Sequence, residues 1–408
     1  MDLVISNAVL PGRSGRWAIA VDQGHVQHIQ PELSLSAQTH LDAKGQLVIP
    51  GLVDAHFHLD KVRLLGRSAA VTGDFQEALE QTLRVKQSFT IEDIQARASQ
   101  HIDCVIGMGT TAMRSHVEVD PTIGLIGMKA MVPLRDRYRT RFTLQLAVFA
   151  QEGITQDPRT VGLLREAMRM GGDVIGSAPY VDPDPEQNIR TVFDIAEEFD
   201  CDVDFHLDFL DDEEPLSVST VIAETKRRGW QGRVCLGHMT KLAALEKDAL
   251  KAIADQLAEA KIAVLSLPAS DLYMMARRDT HNQRRGVAPV HRLAEAGVTV
   301  GAASNNVQNL FTPFGDGDML KVATLMAQVL QLGTPKHHEF CLEMVTTQSA
   351  KAIGISDHGI SVGNRADLAI VGAATVSEAI GSAPPERTVI QNGSVVARRR
   401  ISQYLRPN

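Results

Sequence analysis

The sequence predicts an α/β fold: a closed parallel (β/α)8 barrel of the TIM type, accompanied by a small β-sandwich module built from both chain ends. Eight short apolar runs rich in β-branched residues alternate with helical patterns between residues 51 and 360. Each run is nearly continuous in apolar character, as parallel strands covered on both faces are. Residues 1–50 and 361–408 read instead as short strands separated by turn signals. A length of 408 residues accommodates one such barrel plus an accessory module. An open doubly wound sheet is the alternative reading of the same alternation.

In chain order, Leu3-Val4-Ile5, Trp17 to Val21, Val26 to Ile29 and Leu47-Val48-Ile49 are the amino-terminal strands, the last ending at the Pro50-Gly51 turn. The barrel strands are Val53 to His56, Thr110 to His116, Phe142 to Phe149, Asp173 to Ala178, Asp202 to His206, Arg233 to His238, Ile262 to Leu267 and Val298 to Ala303. Between them Ile91, Ile94, Ala98, Ile102, Val105 and Ile106 fall at helical spacing and predict a helix over Ile91 to Met108, capped by Thr90 with Asp93 three residues on. Val192 to Phe199 and Leu293 to Ala296 predict further helices. Ala366 to Val371, Arg387 to Ile390 and Ser394 to Ala397 return to strand character, with Asn392-Gly393 as a hairpin turn. Residues 1–50 and 361–408 thus form one composite β module and residues 51–360 the barrel.

Composition narrows the function. The chain is 44% hydrophobic and 22% charged, an ordinary globular balance. Lys+Arg 41 against Asp+Glu 49 gives a net charge of -8, which argues against phosphate-backbone binding, since that needs a basic face. The one basic cluster, Arg398-Arg399-Arg400, reads as a solvated strand end, and the acidic run Asp211 to Glu214 as a solvated loop. Cys104, Cys201, Cys235 and Cys341 are widely spaced with no CxxC pair, which fits a reducing cytoplasm. No signal-peptide pattern and no run of about 18 apolar residues is present, so export and membrane insertion are not expected. The expected partner is a small molecule; a homo-oligomer is left open.

The chemistry is carried by histidines. His56 with His58, His116, His206 and His238 all fall at carboxyl ends of predicted strands, where a barrel places its active site. Strand side chains alternate with period two, so His56 and His58 point to one side, together with Asp54 and Asp60. An HxH pair offers a metal two imidazoles from one strand end, and His206 brings a third from the fifth strand. His116, with Arg114 on the same strand face, reads as a group supporting a ligand.

Pro50-Gly51-Leu52-Val53-Asp54-Ala55-His56-Phe57-His58-Leu59-Asp60-Lys61 resembles the first-strand motif of the amidohydrolase superfamily, and its Leu-Asp-Lys ending resembles the branch of cytosine deaminases and triazine hydrolases. The likeness runs through Thr110 to Val117, Gln151-Glu152-Gly153, His206-Leu207-Asp208, Gly237-His238-Met239-Thr240, Arg284-Arg285-Gly286, Ser304-Asn305-Asn306-Val307 and Pro313 to Asp318. It implies a barrel beside a split β module, and one divalent metal, zinc or iron with manganese a further option, held by His56, His58 and His206. It implies that the metal activates water to attack an electrophilic ring or amide carbon, so that a C–N bond of a small heterocycle or cyclic amide is hydrolysed. It also implies that His238 orients the attacking hydroxide or polarises the oxyanion, and that Gln151 binds substrate.

Two residues depart from the family pattern. Phe209 stands where the deaminases carry a proton-ferrying glutamate, and phenylalanine transfers no proton. Asn305 stands where the metal-binding aspartate is expected; an amide oxygen is a weaker ligand and no base. Asn305 is therefore the candidate fourth ligand, Asp208 a candidate proton carrier or a partner of a metal histidine, and Phe209, Asp271 and Asn306 candidate substrate contacts. Asp60 and Lys61 read as a structural pair at the rim, Arg277 and Arg285 as binders of an anionic substrate or as solvated helix residues, and Asp316 and Asp318 as a turn or helix cap. The two departures also motivate rival readings: altered chemistry such as a lyase or isomerase step, or a barrel that binds without turnover.

Overall fold

The computed structural model describes residues 1–68, 70–210, 215–402 and 404; the acidic run Asp211 to Glu214 lies outside the described residues. The amino-terminal segment supplies β1 (Leu3–Ala8), β2 (Trp17–Asp22), β3 (His25–Gln30), β4 (Thr39–Asp42) and β5 (Leu47–Pro50). The barrel strands are β6 (Leu52–Phe57), β7 (Thr110–Glu118), β8 (Thr143–Ala150), β9 (Val174–Ser177), β10 (Asp202–Leu207), β11 (Val234–His238), β12 (Ala263–Ser266) and β13 (Val300–Ala302). The chain ends with β14 (Leu368–Val371), β15 (Arg387–Gln391) and β16 (Ser394–Arg399).

Strands β6 to β13 lie side by side in sequence order, and all pairs are parallel. The ring closes where a parallel bridge joins Phe57 to Asn305, with the Asn305 amide donating to the His56 carbonyl at 3.0 Å and the His58 amide to the Asn305 carbonyl at 3.0 Å. Sequential order with closure excludes the doubly wound alternative, whose order reverses at a switch point. Every residue of β6, β7, β9, β11, β12 and β13 is buried, which is why these strands read as apolar runs. The helix predicted to begin at Ile91 spans Ile91–Gly107, and its Thr90 side chain accepts from the Asp93 amide. The helix predicted from Val192 begins earlier, at Pro185: Asp184 caps it and proline occupies its first position, signals independent of apolar spacing.

The two chain ends form two four-stranded sheets, in orders β3-β2-β1-β4 and β16-β15-β14-β5. They share a core of Leu3, Ile5, Ile19 and Val21 against Val48, Leu368, Ile370 and Ile390. Asn392 and Gly393 both adopt positive φ, 48° and 74°, the hairpin geometry that this dipeptide favours. Strand β4 was not legible in the sequence, because Thr39-His40-Leu41-Asp42 is an edge strand paired only to β1 and shows no buried residue. Arg398 and Arg399 end β16 and Arg400 follows it.

Candidate metal centre and active site

His56 ends the inner run of β6, His58 follows it, and His206 is the penultimate residue of β10; none is more than 2% exposed. Their Nε2 atoms converge: His56 to His206 is 3.0 Å and His58 to His206 is 3.0 Å. Gly237 permits this approach, since a Cβ there would stand 2.7 Å from His56 Cε1. Burial, followed by neighbouring imidazoles for His56 and His206 and by Lys61 for His58, pushes all three well below the ordinary histidine pKa. They are therefore neutral at pH 7. A single hydrogen on His206 Nε2 satisfies one of the two contacts and leaves the other without a donor, whereas a cation accepts lone pairs from all three. Asn305 adds a fourth donor: its Nδ2 donates to Ser270 Oγ at 2.9 Å, while its buried Oδ1 has no hydrogen-bond partner. This donor set fits one divalent metal ion.

Beneath these ligands lies a buried charged group. The His116 ring lies tilted against His56 with centroids 4.0 Å apart, and one nitrogen of each of His56, His58, His116 and His206 lies within 4.8 Å of the others. His116 Nε2 is 3.2 Å from Asp204 Oδ1, and Arg114 donates to Asp204 Oδ2 at 2.8 Å. Asp204 Oδ1 also lies 3.7 Å from His56 Nδ1. Sequence reasoning missed Asp204, although it stands two residues before His206 on the same strand face.

His238 ends β11 with φ 73°, and its Nδ1 is 2.7 Å from Asp271 Oδ1. Asp271 lies on the short helix Pro268–Met274, is fully buried, and also accepts from the Leu267 amide at 3.2 Å. Burial raises its pKa, opposed by His238. The expectation that Asp271 faces substrate is corrected: it stands behind His238 and does not line the cavity.

Asp208 is corrected as well. Period-two alternation would have kept it on the His206 side, but β10 stops at Leu207 and Asp208 turns to φ 44°. Its carboxylate accepts from the Ser217 amide at 2.7 Å and the Val218 amide at 3.1 Å, at the start of helix Val218–Arg228. Burial raises its pKa to about 6. It anchors a helix and is directed away from the cavity.

The cavity above the histidines is narrow, with an empty volume of about 320 Å³. One side presents His58, His206, His238, Ser270, Asn305 and Asn306, with Gln151 beside them; the other presents Phe75, Tyr180, Phe209, Met274 and Phe311. The Phe209 ring sits 4.5 Å from His238, 5.3 Å from Phe75 and 5.5 Å from Tyr180. Gln151, Asn306 and Phe209, three of the four candidate substrate contacts, border the cavity. Phe75, Tyr180, Ser270 and Phe311 were missed, since they come from helices and turns rather than strand ends.

The remaining candidates lie elsewhere. Asp54 accepts from the amide and hydroxyl of Ser304, and burial raises its pKa to about 7. Asp60 accepts from the Glu118 amide at 2.8 Å, while Lys61 pairs with Glu118 at 2.7 Å rather than with Asp60. Arg277 donates to the carbonyls of Thr72 and Tyr273, and Arg285 lines a separate surface groove with Lys247 and Arg292. Asp316 pairs with Lys321 at 2.6 Å, and Asp318 caps helix Met319–Val329. Among the described residues no helix is long and apolar enough to cross a membrane.

Residues 129–397 match the model of an amidohydrolase family. The chain is 27% identical to an N-isopropylammelide isopropyl amidohydrolase of Pseudomonas sp. (strain ADP), over 98% of each chain. It is 28% identical to a pterin deaminase of Rhizobium rhizogenes, over 97% of this chain and 94% of the other. Its structure resembles that of a 5-methylcytosine deaminase from Klebsiella pneumoniae liganded with 5-fluorocytosine, with a TM-score of 0.94, 26% identity and 99% of each chain covered. It also resembles an N-isopropylammelide isopropylaminohydrolase from Burkholderia multivorans, with a TM-score of 0.87, 27% identity and coverage of 98% and 99%.

Proposed function

The chain belongs to the amidohydrolase family, and from that premise we propose that it hydrolyses a C–N bond of a small nitrogen heterocycle at the His56–His58–His206 centre. The observation that carries this reading is the convergence of three neutral Nε2 atoms, two pairs at 3.0 Å, beside an Asn305 oxygen with no other partner. His56, His58, His206 and Asn305 would hold one divalent cation, which supplies Lewis acidity and generates hydroxide from water near neutral pH. Imidazole and amide donors without a carboxylate favour zinc or iron over manganese.

The chain's own groups do the rest. With Asp271 ionised, His238 Nδ1 donates to it and the other ring nitrogen keeps a lone pair, so the pair can take a proton at the cavity and return it to the departing nitrogen. Among the described residues no carboxylate lines the cavity: Phe209 stands where the family's glutamate is expected, and Asp208 is engaged at a helix terminus. Proton transfer therefore falls to His238. Gln151 and Asn306 would hydrogen-bond the polar edge of the ring. Phe209, Phe75, Tyr180 and Phe311 would enclose the rest of it and exclude water, which strengthens every electrostatic contact inside.

N-isopropylammelide, pterin and 5-methylcytosine, for which the relatives are named, are all ring systems with a C–N bond open to attack by hydroxide. The apolar wall around Phe209 favours a ring that carries an alkyl substituent. The alternatives of altered chemistry or a non-catalytic barrel gain no support from a site in which all three histidine donors and His238 remain in place. Four free thiols support work in a reducing compartment, the cytoplasm. The test is a panel of amino-substituted triazines, pyrimidines and pterins, assayed for ammonia or alkylamine release before and after chelation. Release that stops on chelation and returns with zinc or iron is expected; a panel with no metal-dependent turnover would overturn the proposal.

A further inference from the structure

Gln151 borders the cavity and is 5% exposed. Its Oε1 lies 3.3 Å from the ammonium of Lys61, which is itself 1% exposed. An ammonium group has three donors and no acceptor, so the oxygen of the Gln151 amide, not its nitrogen, must face Lys61. The amide nitrogen is then presented to Tyr180, whose hydroxyl oxygen accepts from it, and both residues border the cavity.

Lys61 has little freedom to move. Glu118 accepts from it at 2.7 Å, and it sits over the rings of Phe311 at 5.3 Å and Phe149 at 5.9 Å. Glu118 is 1% exposed and is held from its other side by Lys86 at 3.6 Å, which also pairs with Asp120 at 2.7 Å. Releasing Lys61 would leave a buried carboxylate short of a cation, a costly state.

We propose that Lys61 is a positioning residue that sets the hydrogen-bonding sense of Gln151, so that this wall presents a donor and selects rings carrying an acceptor on the facing edge, such as a ring carbonyl. The inference rests on the reading of the cavity as a heterocycle site. It assigns selectivity to a residue that is remote from the reacting carbon.

The experiment measures binding of 2-pyrimidinone and pyrimidine to the metal-loaded protein by calorimetry. 2-Pyrimidinone carries a ring carbonyl, with the lactam N–H that accompanies it, pyrimidine carries neither, and neither ring has an amine to lose. Wild type should prefer 2-pyrimidinone by about 10-fold or more, the scale of a buried donor left unpaired. Gln151→Glu keeps an oxygen towards Lys61 but removes the donor, and should abolish or invert the preference with metal content and melting temperature retained. Lys61→Met should reduce the preference to below about 3-fold, and Lys61→Arg should restore part of it. An unchanged preference in Gln151→Glu and Lys61→Met would overturn the role of Lys61. Binding of neither ring by wild type would overturn the heterocycle reading of the cavity, and this inference with it.

Discussion

The two walls of the cavity are built in opposite ways. The histidine wall is carried on barrel strands: His56, His206 and His238 lie within the last residues of β6, β10 and β11, and Asn305 forms the bridge that closes the ring. The facing wall comes from connecting segments: Phe75 from the helix Phe75–Lys86, Tyr180 from a single helical turn at Pro179–Val181, and Phe311 from the loop after β13. Strands hydrogen-bonded on both sides fix side chains closely, whereas loops vary the surroundings. The comparison teaches that this chain sets its convergent donors on the rigid wall, while the variable one is aromatic and, among the described residues, carries no carboxylate.

If that division is real, the rigid wall must carry the chemistry. His238→Ala should retain its metal and lower turnover by about 100-fold or more, the scale of a lost acid-base group, measured as steady-state kcat. Unchanged kcat would move proton transfer to a group on the other wall. Asp271→Asn should reduce kcat by about 10-fold with KM little changed, because Asp271 acts on the reaction through that imidazole. A rise in KM alone would return Asp271 to substrate contact. Phe209→Ala should open the variable wall and raise KM by about 10-fold while kcat changes less, since it removes apolar enclosure and no proton carrier. A collapse of kcat would show that Phe209 positions His238.

The last effect is one on stability rather than turnover and concerns the scaffold behind the rigid wall. His101, on helix Ile91–Gly107, stacks on Phe57 at 4.6 Å, and burial lowers its pKa to about 3. The folded chain thus holds it neutral while the unfolded chain protonates it below the ordinary value of 6.5. Stability from this group is complete above pH 6.5 and is lost as pH falls towards 3, by about 2 kcal/mol at pH 5. His101→Phe keeps the stacking and should shrink the drop in stability between pH 7 and pH 5 by about that amount, read from denaturant unfolding. An equal drop in both proteins would locate the acid sensitivity elsewhere.

The same division explains what could be read in advance. The barrel was legible because buried parallel strands demand unbroken apolar runs, and the HxH pair because period-two alternation places both rings together. The rule failed one residue past a strand end: Asp208 follows Leu207, takes positive φ and turns away. Asp271 misled for a related reason, since the helix Pro268–Met274 begins directly after Leu267 and its geometry directs the carboxylate back to His238. Phe75 and Tyr180 left no trace, as neither belongs to a strand and aromatic residues on connecting segments are ordinary. Lys61 was visible only as half of a pair with Asp60; its true partner, Glu118, is at the end of β7, which sequence distance concealed.

The central claim is that the three histidines hold a metal despite Asn305. It is tested most directly by the metal content of the purified protein, measured by elemental mass spectrometry beside His56→Ala after both have been reconstituted with zinc or iron. About one equivalent in the wild type and almost none in the variant is the predicted result, because an amide oxygen cannot compensate for a lost imidazole. Full occupancy in His56→Ala, or no metal in the wild type after reconstitution, would contradict it.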